Sequence, residues 1–324
     1  MAGAAELAVV GCLTFFGNVA YAMTSFGNGV IFQTGWHCAQ LAGLCDGSVV
    51  SATTSLSIFM TLTRTIQGVH LRKSYQPWIV AHMLPPTLLG LLAGVALIFR
   101  LPVVAAQRTM GCLFLSIMGF KYRRTLLGLA RPGAVAAPPM PALDRGNKRH
   151  RAAVVAAGFA GGIMSGMFGT PGPPVMVLLS FVAVDPLLWR ASSAVVTAVM
   201  TYLQLYLYLG PGAQYDGAAW PSYATMIAAA LAGLAAGNAL ADSVDQDFMQ
   251  RAIAVFLTTG AAAMVAAGTD PAAQLLAVAA AAAVLALCAC AARRRRDTAG
   301  AGVELPAQDS GARAAADDEP AAVV

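Results

Sequence analysis

Long apolar runs recur along almost the whole chain, from Leu7 to Cys290, with short polar stretches between them. A helix that crosses a lipid bilayer needs about 20 mainly apolar residues, and most of these runs approach that length. Only 11% of the residues are charged, against about 25% in soluble proteins. The sequence therefore predicts an all-α, polytopic membrane protein, and it excludes a water-soluble enzyme. The runs also lack the alternation of a membrane β-barrel.

The charges indicate topology. The net charge is +5, but the basic residues stand in short stretches beside apolar runs, where the positive-inside rule places them, so no nucleic-acid partner is expected. The six cysteines form no CxxC pair and have no histidine at zinc spacing, so no disulfide framework, metal or cofactor is expected. The chain opens without a basic n-region, and a cleaved signal peptide is not expected.

The apolar runs fall into two sets of five, separated by a basic, proline-rich stretch. We expect a first membrane repeat (residues 1–122), a cytoplasmic linker (123–151), a second repeat (152–268), one extra transmembrane helix (269–292) and a disordered cytoplasmic tail (293–324). The expected segments are 7–23, 26–44, 47–66, 78–99 and 103–122, then 152–168, 171–184, 187–209, 220–240 and 248–267, and finally 271–292.

Sequence matches between the two sets predict an internal duplication. Residues 88–94 (LLGLLAG) match residues 231–237 (LAGLAAG), and the same offset places Gln107-Arg108 on Gln250-Arg251. Phe26-Gly27 falls on Phe168-Gly169 within one residue of that offset. Helices rich in Ala, Leu and Gly also match by chance, but three landmarks in order favour a duplication.

The number of crossings in each half decides how the repeats are oriented. If every segment crosses, the linker, the Arg72-Lys73 loop and Arg293 to Arg296 share the cytoplasmic side, and the second repeat is inverted. The segment 171–184 is short and rich in Gly and Pro, so a broken or re-entrant helix there is the alternative. That alternative weakens the argument for inversion.

Glycine and proline interrupt the helical pattern at equivalent places in the two halves. Backbone opened inside the bilayer must be satisfied by protein, water or ligand, and broken helices at matching places in two repeats point to a transport site. A helix that restarts there presents N–H groups and a positive dipole end to an anion. Close helix crossing through small residues is the alternative. The predicted substrate-binding residues here are Gly27, Asn28, Gly29, Gly169, Thr170, Gly172 and Pro173.

Two helical faces carry hydroxyl groups at the same spacing in the two halves. They are Thr53, Ser57, Thr61 and then Arg64 in the first half, and Ser193, Thr197, Thr201 and then Gln204 in the second. Each set lies on one face of its helix. We expect these residues to line a polar pathway, or alternatively to bond their own backbone and hold helices together.

Arginines near the spans are the candidate charges. Arg64 and Arg190 are predicted to bind substrate, because a guanidinium can bond two oxygens of one oxyanion. Arg108 and Arg251 are expected to extend to lipid headgroups. Acidic residues are nearly absent from the spans, so a carboxylate proton relay has few candidates.

A membrane-embedded enzyme is the rival class. Ser165 stands in the motif GIMSG, but no histidine follows His150 to act as its base. The sequence also has no HExxH, Walker A motif or paired carboxylates. We therefore expect no enzyme.

The breaks, the Gly172-Pro173-Pro174 and Trp189-Arg190-Ala191 sequences and the basic linker together resemble the TauE/SafE sulfite exporter family, over roughly residues 7–267. The resemblance implies a transporter of sulfite, organosulfonates or related small anions. It marks Gly27, Gly29, Gly169, Gly172, Pro173 and Arg190 as functional. The chain departs from the family pattern at Asn28 and at Thr170-Pro171.

The expected function is export of a small anion by alternating access in the plasma membrane. An inside-negative potential favours anion exit by about 2.3 kcal/mol per charge per 100 mV, so export needs no coupling ion. A proton- or sodium-coupled importer of a similar anion is the runner-up, followed by an anion channel or a membrane-embedded enzyme.

Overall fold

The structure is a computed structural model, and it describes residues 3–24, 27–45, 49–130, 141–179, 181–210, 220–241, 243 and 246–270. Its regular structure is helical, which confirms the all-α prediction. The helices are α1 (Ala4–Thr24), α2 (Asn28–Leu41), α3 (Val49–His70), α4 (Pro77–Ile98), α5 (Val103–Ala130), α6 (Lys148–Phe168), α7 (Gly172–Leu178), α8 (Pro186–Leu209), α9 (Trp220–Leu240) and α10 (Gln246–Val265). Ser25, Phe26, most of the predicted helix 269–292 and the whole tail 293–324 lie outside the described residues.

Five of these helices are long and apolar enough to cross a membrane. They are α1, α4, α6, α9 and residues 187–209 of α8. Their outer faces expose large apolar side chains such as Phe16, Leu89 and Leu231. In a soluble protein such faces would be buried, whereas lipid solvates them readily. The chain is a multi-pass integral membrane protein.

The two helices that follow the breaks are short. α2 has 14 residues and α7 has seven, so at 1.5 Å per residue they span about 21 Å and 10 Å. The hydrocarbon core of a bilayer is about 30 Å thick, and neither helix crosses it alone. The segment 171–184 thus has the broken form that was the alternative, and the inversion of the second repeat stays a prediction.

The helices around the basic linker begin and end at other residues than the apolar pattern indicates. α5 continues to Ala130, beyond the expected end at residue 122. α6 begins at Lys148, where the Asn147 side chain caps it by accepting a hydrogen bond from the Arg149 backbone N–H. A polar cap of this kind satisfies a donor that the first helical turn leaves free.

Glycines allow the closest helix contacts, and these contacts join the two halves of the sequence. α4 packs on α6, and α1 packs on α9. Gly162 and Gly166 lie against the backbone of α4, while Gly233 and Gly237 lie against the backbone of α1. Lipid is as apolar as a leucine side chain, so such close packing contributes much of the stability of a membrane helix bundle.

The helix pairs follow a two-fold pattern when α1 to α5 are equated with α6 to α10. The pair α1 and α9 corresponds to α6 and α4, α1 and α2 to α6 and α7, and α2 and α10 to α7 and α5. The pairs α3 with α8 and α5 with α10 correspond to themselves. This exchange supports the predicted duplication.

Apolar side chains form a matching core in each of two groups of helices. In the group α1, α2, α3 and α9, which we call the first bundle, Phe32 packs among Trp36, Phe59 and Tyr223. In the group α4, α6, α7 and α8, the second bundle, the core includes Trp189. Each bundle therefore contains helices from both halves of the sequence.

Candidate functional site

The two predicted breaks lie against each other. Gly27 precedes α2 with a φ of 116°, and Gly169 ends α6 with a φ of 68°, a left-handed conformation that favours glycine. A Cβ atom on Gly29 would lie 2.5 Å from the Gly169 carbonyl oxygen and 2.7 Å from the Thr170 methyl group. Glycine at residue 29 is therefore what permits the two breaks to touch.

A small cavity lies at this contact. It is lined by Gly27, Asn28, Gly29, Val30, Arg64, Thr170, Pro171 and Gly172. The structure thus brings together six of the nine predicted binding residues. Gly169 lies behind the cavity against Gly29, whereas Pro173 and Arg190 are not among the lining residues. The lining residues come from both bundles.

Three side chains of the cavity carry buried polar atoms that lack a hydrogen-bond partner among the described residues. Arg64 is 1% exposed, and its Nε and Nη1 atoms are unpartnered, as are the Asn28 Nδ2 atom and the Thr170 hydroxyl. The Arg64 Cζ atom lies 5.9 Å from the centre of the Tyr21 ring. A buried cation without a partner is costly, so a group with acceptor oxygens would be stabilised here.

The Asn28 amide has a fixed orientation. Its Oδ1 atom accepts a hydrogen bond from the Gly29 backbone N–H at 2.8 Å. The amide oxygen is thus engaged, and the Nδ2 donor is the part of the side chain that a ligand can use. In the part of the chain that the structure describes, no carboxylate that would repel an anion lines the cavity.

The two restarting helices differ in the donors that they offer. Asn28, Gly29 and Val30 form the first turn of α2, and each has a backbone N–H, of which that of Gly29 already donates to the Asn28 Oδ1 atom. In α7 the first turn contains Pro173 and Pro174, which have no N–H. The expectation that both helix starts present N–H groups therefore applies mainly to α2.

Arg190 lies near the end of α1. It is half-buried near the start of α8, and its Nη2 atom donates a hydrogen bond to the Ala22 carbonyl oxygen. The last carbonyl groups of a helix need such partners from outside the helix. Arg190 therefore holds the end of α1 that precedes the first break, and its role in binding stays a prediction.

Three side chains, two from α8 and one from α2, satisfy the last carbonyl groups of α6. The Gln204 amide donates to the Ser165 carbonyl at 3.0 Å and accepts from the Ser165 hydroxyl at 3.0 Å. The Tyr208 hydroxyl donates to the Gly166 carbonyl at 2.7 Å. The Gln33 amide donates to the Phe168 carbonyl at 3.0 Å. The partner of Ser165 is thus an amide, which does not act as a base for nucleophilic chemistry.

Sequence reasoning missed Gln33 and Tyr208. Gln33 is 2% exposed and Tyr208 is 0% exposed. The available signal was the glutamine itself, because an amide inside an apolar membrane segment needs a hydrogen-bond partner. A tyrosine in such a segment gives a weaker signal, because its ring is apolar and is also common at membrane interfaces.

The hydroxyl stripes use their donors on their own helices, except at Thr53, whose hydroxyl donates to the Met167 carbonyl of α6 at 3.5 Å. Ser57 donates to the Thr53 carbonyl at 2.8 Å, and Thr61 donates to the Ser57 carbonyl at 2.7 Å. Ser193, Thr197 and Thr201 do the same on α8. Thr61 also lies 3.3 Å from the Thr201 carbonyl, where α3 packs on α8. This placement favours the alternative of backbone bonding and helix packing, and lining of a pathway stays a prediction.

A protein-family model described as Sulfite exporter TauE/SafE matches residues 10–265. The match reaches from α1 to the last residue of α10 and so includes both breaks. Comparisons with curated proteins and with solved structures gave no match. The family that the breaks, the proline motif and the basic linker predicted is confirmed.

Proposed function

Because the chain belongs to the TauE/SafE sulfite exporter family, a family of membrane transporters of sulfite or related anions, we propose that it exports a small oxyanion across the plasma membrane by alternating access. The substrate binds in the cavity between the two breaks. The observation that carries this proposal is the buried Arg64 side chain. Two of its nitrogens have no hydrogen-bond partner among the described residues, and it lines the same cavity as Asn28 and Thr170.

The chemistry of the cavity suits an oxyanion. Arg64 supplies a positive charge and charge-assisted hydrogen bonds, which are about twice as strong as neutral ones. Asn28 and Thr170 add neutral donors from opposite bundles, and the start of α2 adds its positive dipole end. An anion bound there contacts both bundles at once, so its binding depends on how the bundles are arranged.

The close helix contacts support one choice of moving units. α4 with α6 and α1 with α9 pack through glycines at backbone distance, so the two halves of the sequence do not separate as rigid bodies. The moving units are the first and second bundles, each with its own apolar core. Their relative rotation about the contact of Gly29 with Gly169 exposes the cavity to one side of the membrane and then to the other.

Electrostatics supports outward transport. The membrane potential drives an anion outward by about 2.3 kcal/mol per charge per 100 mV. Among the described residues, no carboxylate lines the cavity to carry a coupled proton or to hold a sodium ion. A uniporter with this site exports its anion down the electrochemical gradient.

Flux in proteoliposomes of known orientation tests the proposal. Sulfite, sulfate and a short sulfonate are compared under an imposed potential, and then under pH and sodium gradients. We expect flux of at least one of these anions that follows the potential and is unchanged by the other gradients. Uphill uptake driven by a proton or sodium gradient would show a coupled importer instead. Unitary currents in planar bilayers would show a channel.

A further inference from the structure

Gln33 connects the two breaks from a position outside the cavity. It lies on α2 four residues after Gly29, and its Nε2 atom donates to the Phe168 carbonyl at 3.0 Å and to the Thr53 hydroxyl at 2.9 Å. Phe168 is the last residue of α6. We propose that Gln33 is a positioning residue that keeps Thr170 facing Arg64. The inference rests on the proposed function.

The carbonyl group that Gln33 holds has few other sources of a donor. The bilayer core provides no water, and the Ser165 and Gly166 carbonyls are already served by α8 side chains of the same bundle. The bond to Phe168 comes from the first bundle. It is therefore a hydrogen bond between the bundles at the point where they enclose the cavity.

Two adjacent turns of α2 fix the second break. Residues four apart lie on the same face of a helix, so Gly29 and Gln33 face the end of α6 together. Gly29 sets how closely Gly169 can approach, and Gln33 sets where the Phe168 carbonyl lies. Thr170 directly follows Phe168 and Gly169 in the chain. The direction of its hydroxyl group therefore depends on the contacts that Gln33 and Gly29 make with those two residues.

Isosteric substitutions separate positioning from a purely structural role. Gln33→Met keeps the size of the side chain and removes the donor. We expect KM for sulfite flux to rise roughly tenfold while the maximal rate changes less, because an unsatisfied Phe168 carbonyl lets the second break shift. The matched control is Gln67→Met. Gln67 is buried and joins α3 to Asn238 of α9 by two amide hydrogen bonds, and we expect its KM to change less than twofold.

Gln33→Glu adds a pH readout. A protonated carboxyl group at residue 33 donates to the Phe168 carbonyl, whereas a carboxylate does not. The ratio of variant flux to wild-type flux at each pH cancels the titration of the anion itself. We expect this ratio to rise towards one as the pH falls.

Three results would overturn the inference: an unchanged KM in Gln33→Met, an equal rise in Gln67→Met, or a Gln33→Glu ratio that does not depend on pH. A wild-type protein that carries no anion would refute the proposed function separately. In that case, hydrogen exchange of the backbone amides of residues 169–179 tests whether Gln33 positions the second break. Faster exchange in Gln33→Met than in wild type and Gln67→Met supports positioning, and equal exchange contradicts it.

Discussion

Arg64 on α3 and Gln204 on α8 end two hydroxyl stripes of the same spacing, but their surroundings differ. Both Gln204 amide atoms are bonded to Ser165, at the end of α6. Arg64 lines the cavity, and two of its nitrogens have no partner among the described residues. Under the predicted duplication, these equivalent positions have diverged. In the proposed site Arg64 provides charge for a ligand, whereas Gln204 bonds the end of α6.

The breaks differ in the same way. The first is followed by residues that carry backbone N–H groups and the Asn28 amide. The second is followed by prolines, and side chains from other helices hold the carbonyl groups before it. In the proposed site the first break therefore supplies most of the hydrogen-bond donors for an anion. The second break supplies one side-chain donor, the Thr170 hydroxyl.

Gly29→Ala should have the largest effect on this contact. The added Cβ atom would lie 2.5 Å from the Gly169 carbonyl oxygen, and overpacking of this kind costs about 1–3 kcal/mol or more. We expect loss of anion flux together with a lower melting temperature. The control is Gly119→Ala, where a Cβ atom meets nothing within 4 Å. Normal flux in Gly29→Ala would show that the breaks need not touch.

Gln204→Leu should separate stability from binding. It removes two hydrogen bonds and leaves the buried Ser165 hydroxyl without its acceptor, which costs about 1–3 kcal/mol, while the Ser165 carbonyl keeps the Gly169 backbone N–H as a donor. We expect a lower melting temperature with an anion affinity within about threefold of wild type. A large loss of affinity without loss of stability would place Gln204 in the binding site and remove the contrast with Arg64.

Thr170→Val tests the donor of the second break. Valine has the same shape and lacks the hydroxyl, so one hydrogen bond to the anion is lost. We expect apparent affinity to fall about fivefold, because a single hydrogen bond contributes about 0.5–1.5 kcal/mol. Titration of wild type and variant with sulfite measures the change, and equal affinities would remove Thr170 from the site.

Thr201→Val should have the smallest effect. The Thr201 hydroxyl donates to carbonyl groups of its own helix, and side-chain hydrogen bonds in membrane helices contribute about 0.6 kcal/mol on average. We expect flux to change less than twofold. A strong loss of flux in this variant would support the polar pathway along α8.

The class of fold and the position of the breaks could be predicted from the sequence, because both depend on local properties. Apolar length predicts membrane helices, and Gly27 and Gly169 mark where helices must stop. The partners of these residues could not be predicted in the same way. Whether Arg64 or Arg190 lines the cavity depends on how α3 and α8 pack against the breaks, and spacing within one helix does not determine that packing.

The packing of α4 on α6 and of α1 on α9 could not be predicted from the sequence pattern either. The glycines of α6 and α9 indicate close packing, but they do not indicate which helix packs against them. Gln33 shows the same limit. Its amide predicts a buried hydrogen bond, whereas its acceptor, the Phe168 carbonyl, is far away in the chain.

Anion-dependent stabilisation of purified protein tests the central claim most directly. A ligand that binds only the folded state raises the melting temperature, and the rise grows with the ratio of ligand concentration to Kd. We predict that sulfite raises the melting temperature of wild type and of Arg108→Gln, whose parent side chain bonds the Ala267 carbonyl outside the cavity, but not that of Arg64→Gln. Equal stabilisation of Arg64→Gln and wild type would contradict the assignment of the anion site to the cavity between the breaks.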